Sequence, residues 1–187
     1  VLVTRKEIRR VEDLKGKSLG VARAGDLSDR LSRLLVKKLN VPDVTIRPIG
    51  GSQTERYHAM IANVVQGVVI TPPLDVRAKN DGYNVAYRLI DLEIPFIYSS
   101  LHASSRTIRE YPETVQRMVA AFAEAISFSA RNPAKAKAAI AKAMRVKDEE
   151  ALQSSYNVYA KEIVDRTMVV PGKSVSEAVD IARETGT

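Results

Sequence analysis

Residues 11–26 read VEDLKGKSLGVARAGD: a short acidic lead-in, a tight Lys15-Gly16-Lys17 turn, an apolar strand over Ser18–Arg23, a glycine bend at Gly25 and a helix start at Asp26. A strand that runs through a glycine into a helix N-terminus is where α/β proteins place small ligands, because unbonded backbone N–H groups converge there. The strand core Leu19-Gly20-Val21-Ala22 has almost no polar alternation. It therefore predicts burial on both faces, as in a sheet covered by helices on each side.

Downstream, Leu27, Leu31, Leu34, Leu35 and Leu39 recur at helical spacing, with Asp26 as N-cap and Asn40 and Pro42 as stop signals. VTIRPI over 44–49 predicts a second strand, and Gly50-Gly51 a sharp bend. Ser52 with Glu55 three residues on makes a capping box for a second helix, whose buried face is Tyr57, Met60, Ile61 and Val64. Gly67 closes that helix and Val68-Val69-Ile70 forms a third strand. Thr71-Pro72-Pro73 ends the strand and starts a helix with proline in its first turn. Asp81-Gly82 turns into a fourth strand, VAYRLI over 85–90. The alternation predicts a small parallel lobe with helices on both faces. Upstream, Leu2–Ile8 reads as a strand, and FIYSS over 96–100 as a crossing strand.

From Pro112 onward the chain reads as helical. Val115, Met118, Val119, Phe122 and Ile126 mark a long helix. Pro133 opens an alanine- and lysine-rich one over 134–144, and Asp148 caps a third with Leu152, Tyr156, Tyr159 and Ile163. Ser174 and Glu177 predict a capping box for a final helix over 175–184.

Composition narrows the function. With 187 residues and 45% apolar side chains, the chain can build a core in one large domain or two small lobes. It has no cysteine, which removes disulfides and thiolate metal sites. It has no tryptophan and only 5% aromatic residues, so it lacks a stacking platform for bases. The net charge of +7 is scattered, apart from Arg5, Lys6, Arg9, Arg10 and Lys37-Lys38, and reads as a solvated basic surface; no nucleic-acid partner is expected. No apolar run spans a bilayer, and VLVTRKEIRR contains no signal-peptide core.

Enzyme chemistry finds little to stand on. His58 and His102 are far apart with no H-E-x-x-H pattern, so no metal is expected. No G-x-S-x-G elbow, dinucleotide glycine pattern or phosphate loop occurs, so neither a catalytic residue nor a cofactor is expected. Glu149-Glu150 suits a helix start. The candidate ligand-binding residues are instead those at the predicted strand ends: Arg23, Gly25, Asp26, Leu27 and Ser28 after the first, Gly51, Ser52 and Gln53 after the second, and Thr71 and Pro72 after the third. For each, capping or strand termination is the competing reading.

Four phrases in order, DLKGKSLGVARAGD, IRPIGGSQTER, VVITPPLDVRAKNDGYNV and REYPETVQRMVAAFAEAI, resemble the solute-binding proteins of ABC transporters in the nitrate, sulfonate, taurine and pyrimidine-precursor group. The resemblance covers nearly the whole chain. It implies an α/β, type II periplasmic binding-protein-like fold: one complete three-layer α/β/α lobe over 10–95, with 1–9 and 96–187 forming hinge strands and the helical C-terminal part of the other lobe. Tyr98 joins the candidate ligand residues as part of the hinge region, with Thr4 on the facing strand. The implied function is non-covalent capture of a small-molecule solute in an interlobe cleft for an ABC transporter permease. The implied location is periplasmic, or anchored and extracytoplasmic.

The resemblance also implies that a first half-lobe and a targeting segment precede this sequence. A homodimer covering the face of that lobe is then expected. Where the family has Gly-Ser at the first helix start, this chain has Gly25-Asp26. That carboxylate disfavours nitrate or sulfonate unless Arg23 or Arg30 offsets it, and favours a polar, zwitterionic or amine-bearing ligand. The alternatives are a ligand-sensing module of a regulator and a pyrimidine-precursor-type enzyme on the same fold.

Overall fold

The computed structural model describes residues 1–93 and 97–185. Two compact units divide the chain: Val1–Pro95 with Ser176–Thr187, and Phe96–Val175.

The first unit holds a five-stranded sheet of β1 (Leu2–Thr4), β2 (Ser18–Val21), β3 (Thr45–Pro48), β4 (Gly67–Val69) and β5 (Asn84–Tyr87), in the order β3-β2-β4-β1-β5. β2 is parallel to β3 and β4, as expected, but β1 runs antiparallel to both β4 and β5. The four strands expected to be parallel thus share one direction, and the sheet is mixed only because β1, expected as a hinge strand, is inserted between β4 and β5 in the opposite sense. The cause is local. Only a tight turn and a 3₁₀ turn over Val11–Leu14 separate β1 from β2, without a crossover helix. β1 thus ends near the rim from which β2 starts, and must point the other way.

Alternating side chains feed two cores. On one face Leu2, Leu19 and Val69 meet Ile8, Val11, Leu14 and Leu35, the last from α1 (Leu27–Lys38). On the other, Val3, Val68 and Ile70 meet Tyr57 and Met60 of α2 (Gln53–Ile61) and Leu74 and Ala78 of α3 (Leu74–Asn80). Helices cover both faces, the three-layer arrangement that the unalternating strands imply.

Several boundaries differ from expectation. β1 stops at Thr4, where the Thr4 hydroxyl donates to the Ile8 carbonyl at 2.7 Å and bends the chain away. Thr4, expected beside a hinge, is fully buried within the sheet. β5 ends at Tyr87, and Leu89–Leu92 is a 3₁₀ turn. Pro73 is the N-cap of α3 and lies outside its first turn. The expected crossing strand falls partly outside the described residues at Phe96, and 97–100 form no strand.

The second unit is helical: α4 (Ser105–Glu110), α5 (Pro112–Arg131), α6 (Pro133–Met144) and α7 (Glu149–Asn157), followed by a π turn over Val158–Glu162. α4 is absent from the sequence reading, although Ser104 caps it by accepting from the Thr107 amide at 2.9 Å. Pro112 and Pro133 occupy the first turns of α5 and α6. Asp148 caps α7 through the Ala151 amide at 2.7 Å. α8 (Gly172–Thr185) begins two residues before Ser174, so Ser174 lies inside the helix and is not its cap.

Candidate functional site

The parallel arrangement of β2, β3 and β4 brings the starts of α1, α2 and α3 to one rim of the sheet. The Gly50 amide donates to the Ala22 carbonyl and the Ile49 amide to that of Val21, both at 2.9 Å, locking the first two strand ends side by side. Val1 enters the same rim, exchanging backbone bonds with Ile70 at 2.8 and 3.0 Å.

At the first helix start, Asp26 Oδ1 accepts from the Asp29 amide at 2.9 Å and from the Ser28 hydroxyl at 2.8 Å. The Ser28 hydroxyl in turn accepts from the Ala22 amide at 2.9 Å, and the residue is buried. Asp26 and Ser28 thus form a staple between β2 and α1. Asp29, fully buried and not foreseen as part of this region, completes it: Oδ2 accepts from the Gly25 amide and Oδ1 from Arg33 Nε, each at 2.9 Å. Arg23 is exposed, and Gly25 and Leu27 are half-buried.

At the second start, Gly50 and Gly51 adopt φ of 76° and 75°, a left-handed pair that side-chain-bearing residues rarely adopt. The capping box is present in both directions: the Ser52 amide donates to Glu55 Oε2 at 2.6 Å and the Glu55 amide to the Ser52 hydroxyl at 3.3 Å. The Ser52 amide, then its hydroxyl, holds the Glu55 carboxyl below its ordinary range. The third start is tied to the second by Gln53, whose Oε1 accepts from both the amide and the hydroxyl of Thr71 at 3.0 Å. Pro72 is buried beside it.

The rim therefore gathers Asp26, Ser28, Gly51, Ser52, Gln53 and Thr71, with Arg23, Gly25, Leu27 and Pro72 on the same connections. Tyr98 is half-buried in the second unit and belongs to that unit's description.

Arg56 escaped the sequence reading. It sits at the fourth position of α2, is only 8% exposed, and donates through Nη1 to the Gly51 carbonyl at 2.9 Å. Burial pulls its pKa down, and the Asp26 carboxylate pulls it back up. The available signal was an arginine one turn into a capped helix, where long side chains lean back toward the helix start.

Among the described residues no group of three or more His, Asp or Glu could hold a metal ion, and no helix is long and apolar enough to cross a membrane. His58 is exposed in the last turn of α2, and His102 Nε2 meets the Ser100 hydroxyl at 2.8 Å in the second unit.

Residues 1–136 match the family model described as NMT1/THI5 like. This chain belongs to the NMT1/THI5-like family. The NMT1/THI5-like family sits within the periplasmic binding proteins; most members are binding proteins, and it includes a pyrimidine-synthesis enzyme. Small-molecule binding is thus the general trait of the group. The α/β sheet with its helices matches a periplasmic binding-protein-like lobe. The chain is similar to protein AF1704 from Archaeoglobus fulgidus, whose crystal structure aligns with a TM-score of 0.64 at 18% identity, covering 100% of this chain and 67% of that one. That likeness concerns the fold alone. No curated protein matches the chain significantly.

Proposed function

We propose that this chain captures a small solute non-covalently at the rim where α1, α2 and α3 begin, and delivers it to an ABC transporter permease from the periplasmic side of the membrane. The observation that carries the reading is the convergence itself. Three helix starts meet at the carboxyl ends of parallel strands, with amide bonds from Gly50 to Ala22 and from Thr71 to Gln53 holding them in register. Such a rim gathers the first turns of three helices and their polar side chains at one edge, where α/β proteins take small ligands. A second wall closing over it would favour the liganded form through its added contacts.

A thermal-shift screen with sulfonates, amino acids, pyrimidines and aromatic acids tests this reading. A true solute at a hundredfold excess over its Kd adds about 2.7 kcal/mol. For a chain of this size that raises Tm by roughly 5–10 °C. If no solute class moves Tm, the capture reading is abandoned. An enzyme reading competes through the family's pyrimidine-synthesis member, and would show as turnover of a pyrimidine precursor where the binding reading expects unchanged ligand.

A homodimer forms a second part of the proposal. In the second unit Ile108 of α4, Tyr111 at the junction, and Met118, Phe122 and Phe128 of α5 are 42–60% exposed, and α5 has no buried residue. An apolar helix face of this extent supports self-association.

A further inference from the structure

β3 stands last in the order β3-β2-β4-β1-β5, and among the described residues no strand lies beyond it. The Thr45 amide donates to the Lys17 carbonyl and the Ile49 amide to that of Val21, each at 2.9 Å. In a parallel pair, residues that bond the neighbouring strand alternate with residues that face away from it. Thr45, Arg47 and Ile49 therefore turn their backbone groups toward β2, and Ile46 turns its N–H and C=O outward. Pro48, the next outward residue, has no N–H to give. Within β3, Ile46 is thus the residue that offers both a donor and an acceptor to an incoming chain.

A cavity of about 720 Å³ adjoins this edge, bounded by β3, α1 and the part of α8 that belongs to the first unit. Its volume falls in the range of small-ligand sites, about 300–1,000 Å³. Val36, Val44 and Ile46 form an apolar wall that packs on the core behind it. Lys37 and Lys38 line the cavity from the last turn of α1, and Glu177 and Asp180 line it from α8. A helix that seals a sheet edge turns its apolar stripe inward. α8 does the reverse: Glu177 and Asp180 line the space, while Val179 is 42% exposed. The edge is left with open volume between a basic and an acidic wall. That arrangement packs poorly when empty and suits an occupant with a charge of each sign at its two ends.

We propose that this edge is a second binding site, and that its occupant is a short extended peptide with free termini, added to β3 as a further strand. Main-chain bonds to the Ile46 N–H and C=O supply the pairing, as in strand addition to other exposed sheet edges. The peptide carboxylate lies toward Lys37 and Lys38, its ammonium toward Glu177 and Asp180, and a side chain rests on Val36 and Val44. Pairing at a single residue and the limited volume both restrict the occupant to a few residues. Lys37 and Lys38 close α1 at the end opposite its start, so this site is separate from the rim of helix starts and does not depend on solute capture there.

The test follows backbone amide signals of the ¹⁵N-labelled chain. Without peptide, the Ile46 amide should exchange with solvent faster than those of Thr45 and Arg47. Titration with trialanine should shift the Ile46 signal saturably and slow its exchange, while free alanine should leave it unmoved. N-acetyl-trialanine amide keeps the peptide backbone but lacks both end charges, and should bind about two- to fivefold more weakly, the worth of exposed ion pairs. Lys38→Gln and Glu177→Gln should each weaken trialanine and leave the capped peptide unchanged. An Ile46 signal that ignores trialanine, or that responds as strongly to free alanine, overturns the proposal. So does an Ile46 shift that grows with protein concentration in the absence of peptide, which would assign the edge to a second copy of this chain.

Discussion

Gln53 Oε1 accepts both the amide and the hydroxyl of Thr71 at 3.0 Å, so one side chain ties the start of α2 to the end of β4. Gln53→Ala removes both bonds and should destabilise the fold by about 1–2 kcal/mol. Gln53→Glu keeps an acceptor oxygen and should lose less. Urea unfolding of the two variants checks the order, and an equal loss in both would mean that acceptor geometry is irrelevant there.

Gly67 occupies β4 where a Cβ would lie 2.7 Å from Leu19 Cδ2 and 3.3 Å from the Val3 carbonyl oxygen. Leu19 is fully buried in the core, so its displacement must be met by its packed neighbours. Gly67→Ala should therefore cost about 1–3 kcal/mol through overpacking. Gly172→Ala, where nothing lies within 4 Å, should stay within about 0.5 kcal/mol of wild type. A lower urea midpoint with an unchanged slope for the first variant alone is the expected pattern.

Tyr57 is fully buried, and its hydroxyl donates to Asp81 Oδ2 at 2.7 Å. Its ring meets Tyr83 edge-on at 5.9 Å. Burial first, then the Asp81 bond, pushes the phenol pKa well above its ordinary value. A raised folded pKa means a contribution that is complete below the unfolded value of about 10 and lost as pH climbs beyond it. Tyr57→Phe should cost about 1 kcal/mol at neutral pH, because Asp81 is partly exposed. It should also weaken the alkaline fall in stability above pH of about 10, measured by denaturant melts across that range.

Asp13 Oδ2 accepts from the Arg10 amide at 3.0 Å and the Arg9 amide at 3.1 Å. The Arg10 amide, then that of Arg9, holds this carboxyl below its ordinary value. A lowered folded pKa gives stability that is present above the unfolded pKa of about 3.9 and lost as pH falls through the folded value. A carboxyl ¹³C titration should place the Asp13 midpoint below that of a free aspartate. A midpoint at the ordinary value would show that the two amides do not grip it in solution.

The apolar face of α5 yields a prediction about association. Light scattering at micromolar concentration should give a mass above that of one chain. Phe122→Asp, at a residue 45% exposed, should return the chain to a monomer. A monomeric wild type at that concentration would refute self-association.

Much of the first unit was legible because its signals are local. The strand core Leu19–Val21 announces burial on both faces by its lack of alternation, and all three of its residues are buried. Asp26, Ser52, Asp148, Pro112 and Pro133 cap or open the helices that their residue types predict. Ser174 misled, because a Ser-x-x-Glu pattern also arises inside a helix that has already started at Gly172. The rim connections were legible as strand–glycine–helix junctions. Arg56 was not, because an arginine in a polar helix turn looks solvated until burial is known.

The order of residues alone determined the strands β2, β3 and β4, where α1, α2, α5, α6 and α7 begin, and that helices must cover both faces of the sheet. These follow from backbone preferences and apolar period, which act over a few residues. Tertiary structure decided the reversed direction of β1, the joining of Gln53 to Thr71, and the burial of Arg56 against the Gly51 carbonyl. Those outcomes depend on which distant segments share a hydrogen-bond ladder or displace water from a charge, and no short window of sequence contains either partner's position.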